Sequence, residues 1–163
     1  MQHAQTTPAQ GADFELLVAQ ARALIDGERD PIANAANVTA LLSMSVPQVS
    51  WIGIYLRRDD ELVLGPFQGK PACARIAVGA GVCGAAAAQR RTVVVADVNA
   101  FPGHIACDPA SRSEIVVPLL AGDELVGVLD VDSAVADRFH DADRTLFEAI
   151  AALLVAGSNF ARA

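Results

Sequence analysis

The sequence predicts an α+β fold in which a central antiparallel β-sheet of about six strands is flanked by α-helices. Three observations predict it. Apolar residues recur at helical spacing near both ends of the chain, short alternating runs between them are joined by hairpin-type turns, and the segments follow the order helix, helix, three strands, helix, three strands, helix. Hairpins reverse the chain at each turn, so they predict antiparallel rather than parallel pairing. With 163 residues, 53% apolar and 19% charged, the chain can bury one sizeable core and reads as a single domain over residues 13–163. Residues 1–12, rich in Gln, Thr and Ala, are expected to be a flexible N-terminal tail.

The first helix follows Asp13, with Phe14, Leu17, Val18, Ala21, Leu24 and Ile25 on one stripe and Gly27 as its stop. Asp30 and Pro31 then supply a cap and a first-turn proline for a second helix that Pro47 ends. From Val49 to Arg57 the pattern alternates, with Trp51, Gly53 and Tyr55 on one face and Ile52, Ile54 and Leu56 on the other. The Asp59–Asp60 turn leads into Glu61–Phe67, and Cys73–Val78 reads as a third strand. Glycines 79, 81 and 84 precede four alanines, predicting a tight turn into a short helix with Cys83 near its start. Thr92–Ala96 is strand-like, residues 97–112 form a long loop, and Ser113–Leu120 pairs with Glu124–Asp132 around Gly122–Asp123. The last helix starts near Asp141 and carries Leu146, Phe147, Ile150, Leu153, Leu154 and Phe160 on one stripe.

The net charge of −7 repels phosphate backbones and anionic lipid, so neither nucleic acid nor a membrane surface is an expected partner. The uncharged run from Pro31 to Leu56 is interrupted by Asn34, Asn37, Pro47 and Gln48 and does not read as a spanning helix. The N-terminus lacks a basic segment followed by an apolar one, which points away from export and toward a cytoplasmic location. There, an odd set of three cysteines suits thiols that cycle better than a permanent disulfide framework.

Cys107 lies in the turn-rich stretch Phe101–Pro109, which presents a thiol instead of burying it, and either Cys73 or Cys83 could close a disulfide onto it. Each cysteine taken alone also fits the commoner role of a small buried hydrophobe. Asp130 and Asp132, two apart on a strand, share a face, and Glu114 opens the neighbouring strand. This set is either a site or an acidic, solvated strand end. As a site, like charges raise at least one carboxyl pKa and leave a proton available near neutral pH. A proton donor beside a thiol is what sulfoxide reduction needs, because oxygen leaves sulfur poorly unless protonated. The remaining carboxylates suit a substrate ammonium, which a free amino acid has and an internal peptide residue lacks. Trp51 and Tyr55 offer an apolar wall for a methyl-thioether tail, or ordinary core. Arg75, Arg112 and the amides of Gly81–Gly84 are candidates for a substrate carboxylate. Cys73, Cys83, His104 and Cys107 could in number make a zinc site, but nine residues separate the first two where fingers and ribbons place about two to four, so no metal is expected.

From about Ile32 to Leu154 the chain resembles the free methionine-R-sulfoxide reductases, a branch of the GAF-domain fold. The segments that carry the resemblance are Gly65–Cys73 (GPFQGKPAC), Gly79–Gly84 (GAGVCG), Phe101–Asp108 (FPGHIACD), Ser113–Pro118 (SEIVVP) and Gly127–Ser133 (GVLDVDS). The resemblance implies Cys107 as nucleophile, Cys73 as resolving thiol with Cys83 as an alternative, and a substrate site built from Glu114, Asp130, Asp132, Trp51 and Tyr55, with Glu114 also acting as acid or polarising group. It further implies free L-methionine (R)-S-oxide as substrate, thioredoxin or a similar dithiol as reductant, no bound cofactor, and a homodimer. Since one fold hosts many functions, the alternatives are a non-catalytic GAF sensor of a small molecule and a thiol redox sensor.

Overall fold

The computed structural model describes the backbone of residues 10–163 and the side chains of residues 13–161 and 163. Its elements are α1 (Gln10–Ile25), α2 (Pro31–Ser45), β1 (Trp51–Arg58), β2 (Glu61–Gln68), β3 (Arg75–Ala77), α3 (Gly81–Gln89), β4 (Val93–Val95), β5 (Ser113–Ala121), β6 (Glu124–Ser133) and α4 (Asp141–Gly157). The order matches the sequence expectation. α1 starts at Gln10, ahead of Asp13, so residues 10–12 are helical and the rest of the expected tail, residues 1–9, lies outside the described residues. β3 is shorter than Cys73–Val78. The long loop contains a single 3-10 turn at Val98–Ala100. Phe160 is not on the α4 stripe, because the helix ends at Gly157 and Phe160 opens a separate 3-10 turn that still packs against the core.

The six strands form one sheet in the order β3-β2-β1-β6-β5-β4, and each neighbouring pair is antiparallel. β3 and β4 are consecutive in sequence but lie on opposite edges. The chain between them must therefore cross a face of the sheet, and α3 makes that crossing, packing on β5 and β6 as well as on both edge strands. Its Ala-rich surface permits the close approach: a Cβ at Gly84 would lie 2.5 Å from the carbonyl oxygen of Ala77.

Both faces are covered, and the two-residue period of the strands divides them. Ile52, Ile54, Leu56, Ile115, Val117, Leu119, Leu129 and Val131 are buried beneath α2 and α4, on which α1 packs in turn. Trp51, Tyr55, Val116 and Val128 point the other way, toward α3 and its Val82, Cys83, Ala86 and Ala87. A fully buried Ile or Leu contributes about 1.5–3 kcal/mol, so the helix-covered face holds much of the fold together while the opposite face carries the polar residues described below. α2 starts as its sequence dictates: Asp30 accepts from the amides of Ile32 and Ala33, and Pro31 occupies the first turn.

One buried ion pair fastens the ends of these layers. Arg138 Nη1 donates to Asp143 Oδ1 at 2.9 Å, while its Nε and Nη2 donate to the Pro47 carbonyl at 3.1 and 3.0 Å. Its backbone amide donates to Ser113 Oγ, and Asp143 Oδ2 accepts from the amide of His140, capping α4. The arginine thus joins the α2–β1 turn, the start of β5 and the start of α4. Arg138→Ala leaves Asp143 and the Pro47 carbonyl short of a donor, and the expected loss is about 3–5 kcal/mol, a large share of a domain's stability of about 5–15 kcal/mol. Equilibrium urea unfolding measures it, and an unchanged midpoint would contradict this account.

Candidate active site

Strand register assembles the site. Trp51 on β1 pairs with Asp132 on β6, which pairs with Glu114 on β5; one pleat further along, Gly53, Asp130 and Val116 form the next row. The side chains of both rows project toward α3, which places Cys83 against the carboxyls. Cys83 Sγ donates to Glu114 Oε1 at 3.8 Å, and Asp130 Oδ1 is buried without a hydrogen-bond partner. These residues line a pocket of about 570 Å³, counting its mouth, together with Tyr55, Ala72, Gly81, Val82, His104 and Ser111 among others.

Trp51 is locked as one wall. Its ring stacks on Phe67 with centroids 5.4 Å apart, lies 6.0 Å from Tyr55, and donates from Nε1 to the Lys70 carbonyl at 3.0 Å. A Cβ at Gly53 would collide with the indole, so only glycine at that position lets the ring lie across the strand. Tyr55 donates to the Cys73 carbonyl at 2.9 Å and fixes the segment that carries this cysteine.

Cys73 and Cys107 are joined by a disulfide, with Cα atoms 5.6 Å apart. Cys73 comes from the β2–β3 connection and Cys107 from the β4–β5 loop, so the bond ties two irregular segments at the pocket. Lys70 and Asp108 pair at 3.5 Å nearby. Cys83 is the free thiol and is buried.

Burial governs the electrostatics. The Glu114 carboxyl is pushed well up by desolvation, with the charges of Asp130 and Asp132 and a hydrogen bond with Asp130 adding to it. Asp130 is raised by burial to about 6, with the polar groups of neighbouring Glu114 and Cys83 pulling it back. Burial and the neighbouring carboxylates therefore favour the protonated form of Glu114. Asp132 is raised by burial and by Asp130, against a hydrogen bond from Ser111. Burial and the same carboxylates push the Cys83 thiol up and keep it protonated, and they raise the Tyr55 phenol likewise. Burial lowers the His104 imidazole. His104 Nε2 and Glu114 Oε2 lie 3.9 Å apart, but with both groups neutral this is a contact and not an ion pair.

A folded-state pKa above the unfolded one means that the native state holds the Asp130 proton more tightly, so the associated stability is complete below about pH 4 and is lost as pH rises through about 6. Asp130→Asn mimics the protonated form. The variant is expected to melt above the parent at pH 7, by on the order of 2 kcal/mol, with the gap closing toward pH 4. Thermal melts across that range test it; a gap that does not vary with pH would refute it.

Residues 30–156 match the GAF domain family. The chain is 54% identical to the Escherichia coli free methionine-R-sulfoxide reductase over 121 residues, 74% of this chain and 73% of that one. The chain belongs to the GAF-domain family of free methionine-R-sulfoxide reductases. Among solved structures of this family, the reduced form of fRMsr from Staphylococcus aureus superposes with a TM-score of 0.86 at 47% identity, covering 96% of this chain and 99% of that one. The free methionine-R-sulfoxide reductase from Neisseria meningitidis in complex with its substrate gives 0.88 at 42% identity, covering 96% and 94%.

The reductase-family pocket gathers every residue singled out from the sequence as its core: Cys73 at its edge, and Trp51, Tyr55, Cys83, Cys107, Glu114, Asp130 and Asp132 lining it. The alternative of a solvated strand end does not hold, since Glu114 and Asp130 are both 6% exposed. Two candidates fall away. Arg75 pairs with the exposed Glu61 at 2.7 Å, and Arg112 sits beside Asp97 at 3.9 Å, both outside the pocket lining. The sequence reading missed Ser111, the packing of Phe67 and Gly69 around Trp51, and the approach of Cys83 to Glu114. Ser111 left no periodic signal because it precedes the strand, and the Cys83 contact arises only when α3 crosses the face. The four-residue zinc grouping is not assembled, because Cys73 and Cys107 are bonded to each other in this GAF domain.

Proposed function

We propose that this chain reduces free L-methionine (R)-S-oxide to L-methionine by thiol chemistry. The observation that carries the reading is the Cys73–Cys107 disulfide closed beside a buried pocket whose Glu114 retains its proton. The substrates named for the relatives support it.

In the reduced enzyme the Cys107 sulfur attacks the sulfoxide sulfur while Glu114 protonates the departing oxygen. The thiol's own proton passes back to the carboxylate. The oxygen then passes from the methionine sulfur to Cys107, its new S–O bond forming as the bond between the two sulfurs breaks, so methionine leaves as the thioether and Cys107 is left as a sulfenic acid. Cys73 then attacks that sulfur, forming the observed disulfide and releasing water. Cys83 is not the main resolving thiol in this reading, since it is buried, protonated and engaged with Glu114. Asp130 and Asp132 receive the substrate ammonium, which selects the free amino acid over a peptide residue. The amides at the start of α3, at Gly81 and Val82, receive its carboxylate, and Trp51 and Tyr55 flank the methyl-thioether.

Two electrons must return to the disulfide. A dithiol protein such as thioredoxin supplies them by exchange, in the cytoplasm, with no cofactor bound to the chain. No helix among the described residues is long and apolar enough to cross a membrane. Leu16 and Leu24 of α1 and Met44 of α2 are exposed apolar residues that support a homodimer, measurable by sedimentation equilibrium.

The test is NADPH consumption with thioredoxin and thioredoxin reductase, using free methionine R-sulfoxide, its S epimer and a blocked peptide sulfoxide. Turnover of the free R epimer alone is expected. No turnover with thioredoxin or with dithiothreitol would overturn the reading in favour of a ligand or redox sensor.

A further inference from the structure

Cys83, Glu114 and Asp130 form a set whose sulfur the redox cycle leaves unused. One donor atom of each lies within 4.8 Å of the others, and all three residues are buried. Asp130, a member of the set, has one carboxylate oxygen, Oδ1, that is shielded from water and has no hydrogen-bond partner. A buried carboxylate oxygen left unpaired costs about 1–3 kcal/mol or more, so it marks a place for a cation. The surroundings do not provide one. Lys70 at the mouth is paired with Asp108, and His104 is held neutral by burial.

The substrate ammonium answers the carboxylates but makes no use of the sulfur beside them. A thiol next to two carboxyl oxygens is instead the donor set of a borderline-soft divalent metal ion. Around a tetrahedral zinc, with bonds of about 2.3 Å to sulfur and about 2.0 Å to oxygen, donor atoms stand a little over 3 Å apart. The Cys83–Glu114 separation of 3.8 Å is already close to that, and since no separation in the set exceeds 4.8 Å, none needs to close by more than about 1.5 Å.

We propose that Cys83, Glu114 and Asp130 form a binding site for a thiophilic divalent cation, Zn²⁺ or Cd²⁺, whose occupancy excludes the substrate amine and inhibits the enzyme. The aqueous ion exchanges water for one sulfur and two oxygens and keeps water in its fourth position. Binding displaces the Cys83 thiol proton and the proton held by Glu114, with no change of oxidation state. The exclusion rests on the function proposed above; the binding does not.

The disulfide form isolates the question, because with Cys73 and Cys107 bonded, Cys83 is the sole thiol in a chain of three cysteines. Titration of that form with Cd²⁺, and separately Co²⁺, is expected to give a sulfur-to-metal charge-transfer absorption saturating at one ion per chain. Cys83→Ser should abolish the band, and Asp130→Asn should weaken affinity at least about tenfold, with circular dichroism verifying that both variants fold. Free methionine should displace the ion, and Zn²⁺ should inhibit reduction competitively with the sulfoxide and reversibly with a chelator. Absence of the band, or a band that survives Cys83→Ser, would overturn the site. A band that methionine does not displace would overturn the exclusion, and a band in a protein with no reductase turnover would uphold the site while refuting the proposed function.

Discussion

Replacing Cys107 with serine is expected to reduce turnover at least about 10³-fold, to the background of the assay. A serine hydroxyl is not appreciably ionised near neutral pH, and it is a far weaker nucleophile toward sulfur than a thiol. Cys107 is half-buried in a loop and leaves the core clusters intact, so the variant should fold like the parent. The comparison that gives the result its meaning is Cys73→Ser. This variant retains the attacking thiol and loses the thiol that forms the observed bond, so it is expected to release about one methionine per chain and then stall. Rapid-quench measurement of methionine separates the two. Steady-state turnover of Cys107→Ser at the parental rate would remove that residue from the chemistry, and sustained turnover of Cys73→Ser would make Cys83 the resolving thiol.

Glu114→Gln is expected to lower kcat/KM by about 10²–10⁴-fold, the range that general acid catalysis supplies. Glutamine keeps the shape and can still accept from Cys83 through its carbonyl oxygen, but it has no acidic proton for the sulfoxide oxygen. The pH profile distinguishes this from a loss of binding. A general acid works only while protonated, so the parent's rate should fall as pH rises through the raised pKa of Glu114, and the variant should lack that limb. If Glu114 served only to hold the ammonium, KM would rise, kcat would be nearly unchanged and the limb would persist.

Much of the fold was legible because the period-two pattern of β1 is unambiguous. Trp51 and Tyr55 alternate with Ile52, Ile54 and Leu56, and the two sets enter two different cores. The shared face of Asp130 and Asp132 followed from the same rule. The sequence pattern could not order the strands, because the hairpins fix β1–β2, β2–β3 and β5–β6 but say nothing of the β1–β6 pairing that brings Trp51 opposite Asp132. The boundary errors have local causes. Phe160 kept the apolar spacing of α4 after the backbone had left the helix, and Cys73 lay in an extended segment that is not paired as strand.

The site was legible in its residues and not in its electrostatics. Cysteine roles came from the resemblance of whole segments, since spacing alone allowed either Cys73 or Cys83 to pair with Cys107. That Glu114 would favour its protonated form depends on its degree of burial beside the other carboxylates. This burial is set by α3 crossing from one sheet edge to the other, a long-range event without a local signal. Arg138 carries no local signal for a similar reason, since its partners Pro47, Ser113 and Asp143 come from three separate parts of the chain.

The division of β1, β5 and β6 into a helix-covered face and a pocket face has a consequence for how such a protein can change. Positions 51 and 55 of β1, 114 of β5, and 130 and 132 of β6 decide what the cavity accepts, while their immediate neighbours in sequence, such as Ile52, Ile54, Ile115, Leu129 and Val131, anchor the scaffold. A library confined to positions 51, 55, 114, 130 and 132 would re-tailor ligand preference over an untouched foundation. Selection for a new amino acid or oxidised sulfur compound can thus proceed along the same strands that selection for folding holds fixed, one residue out of step.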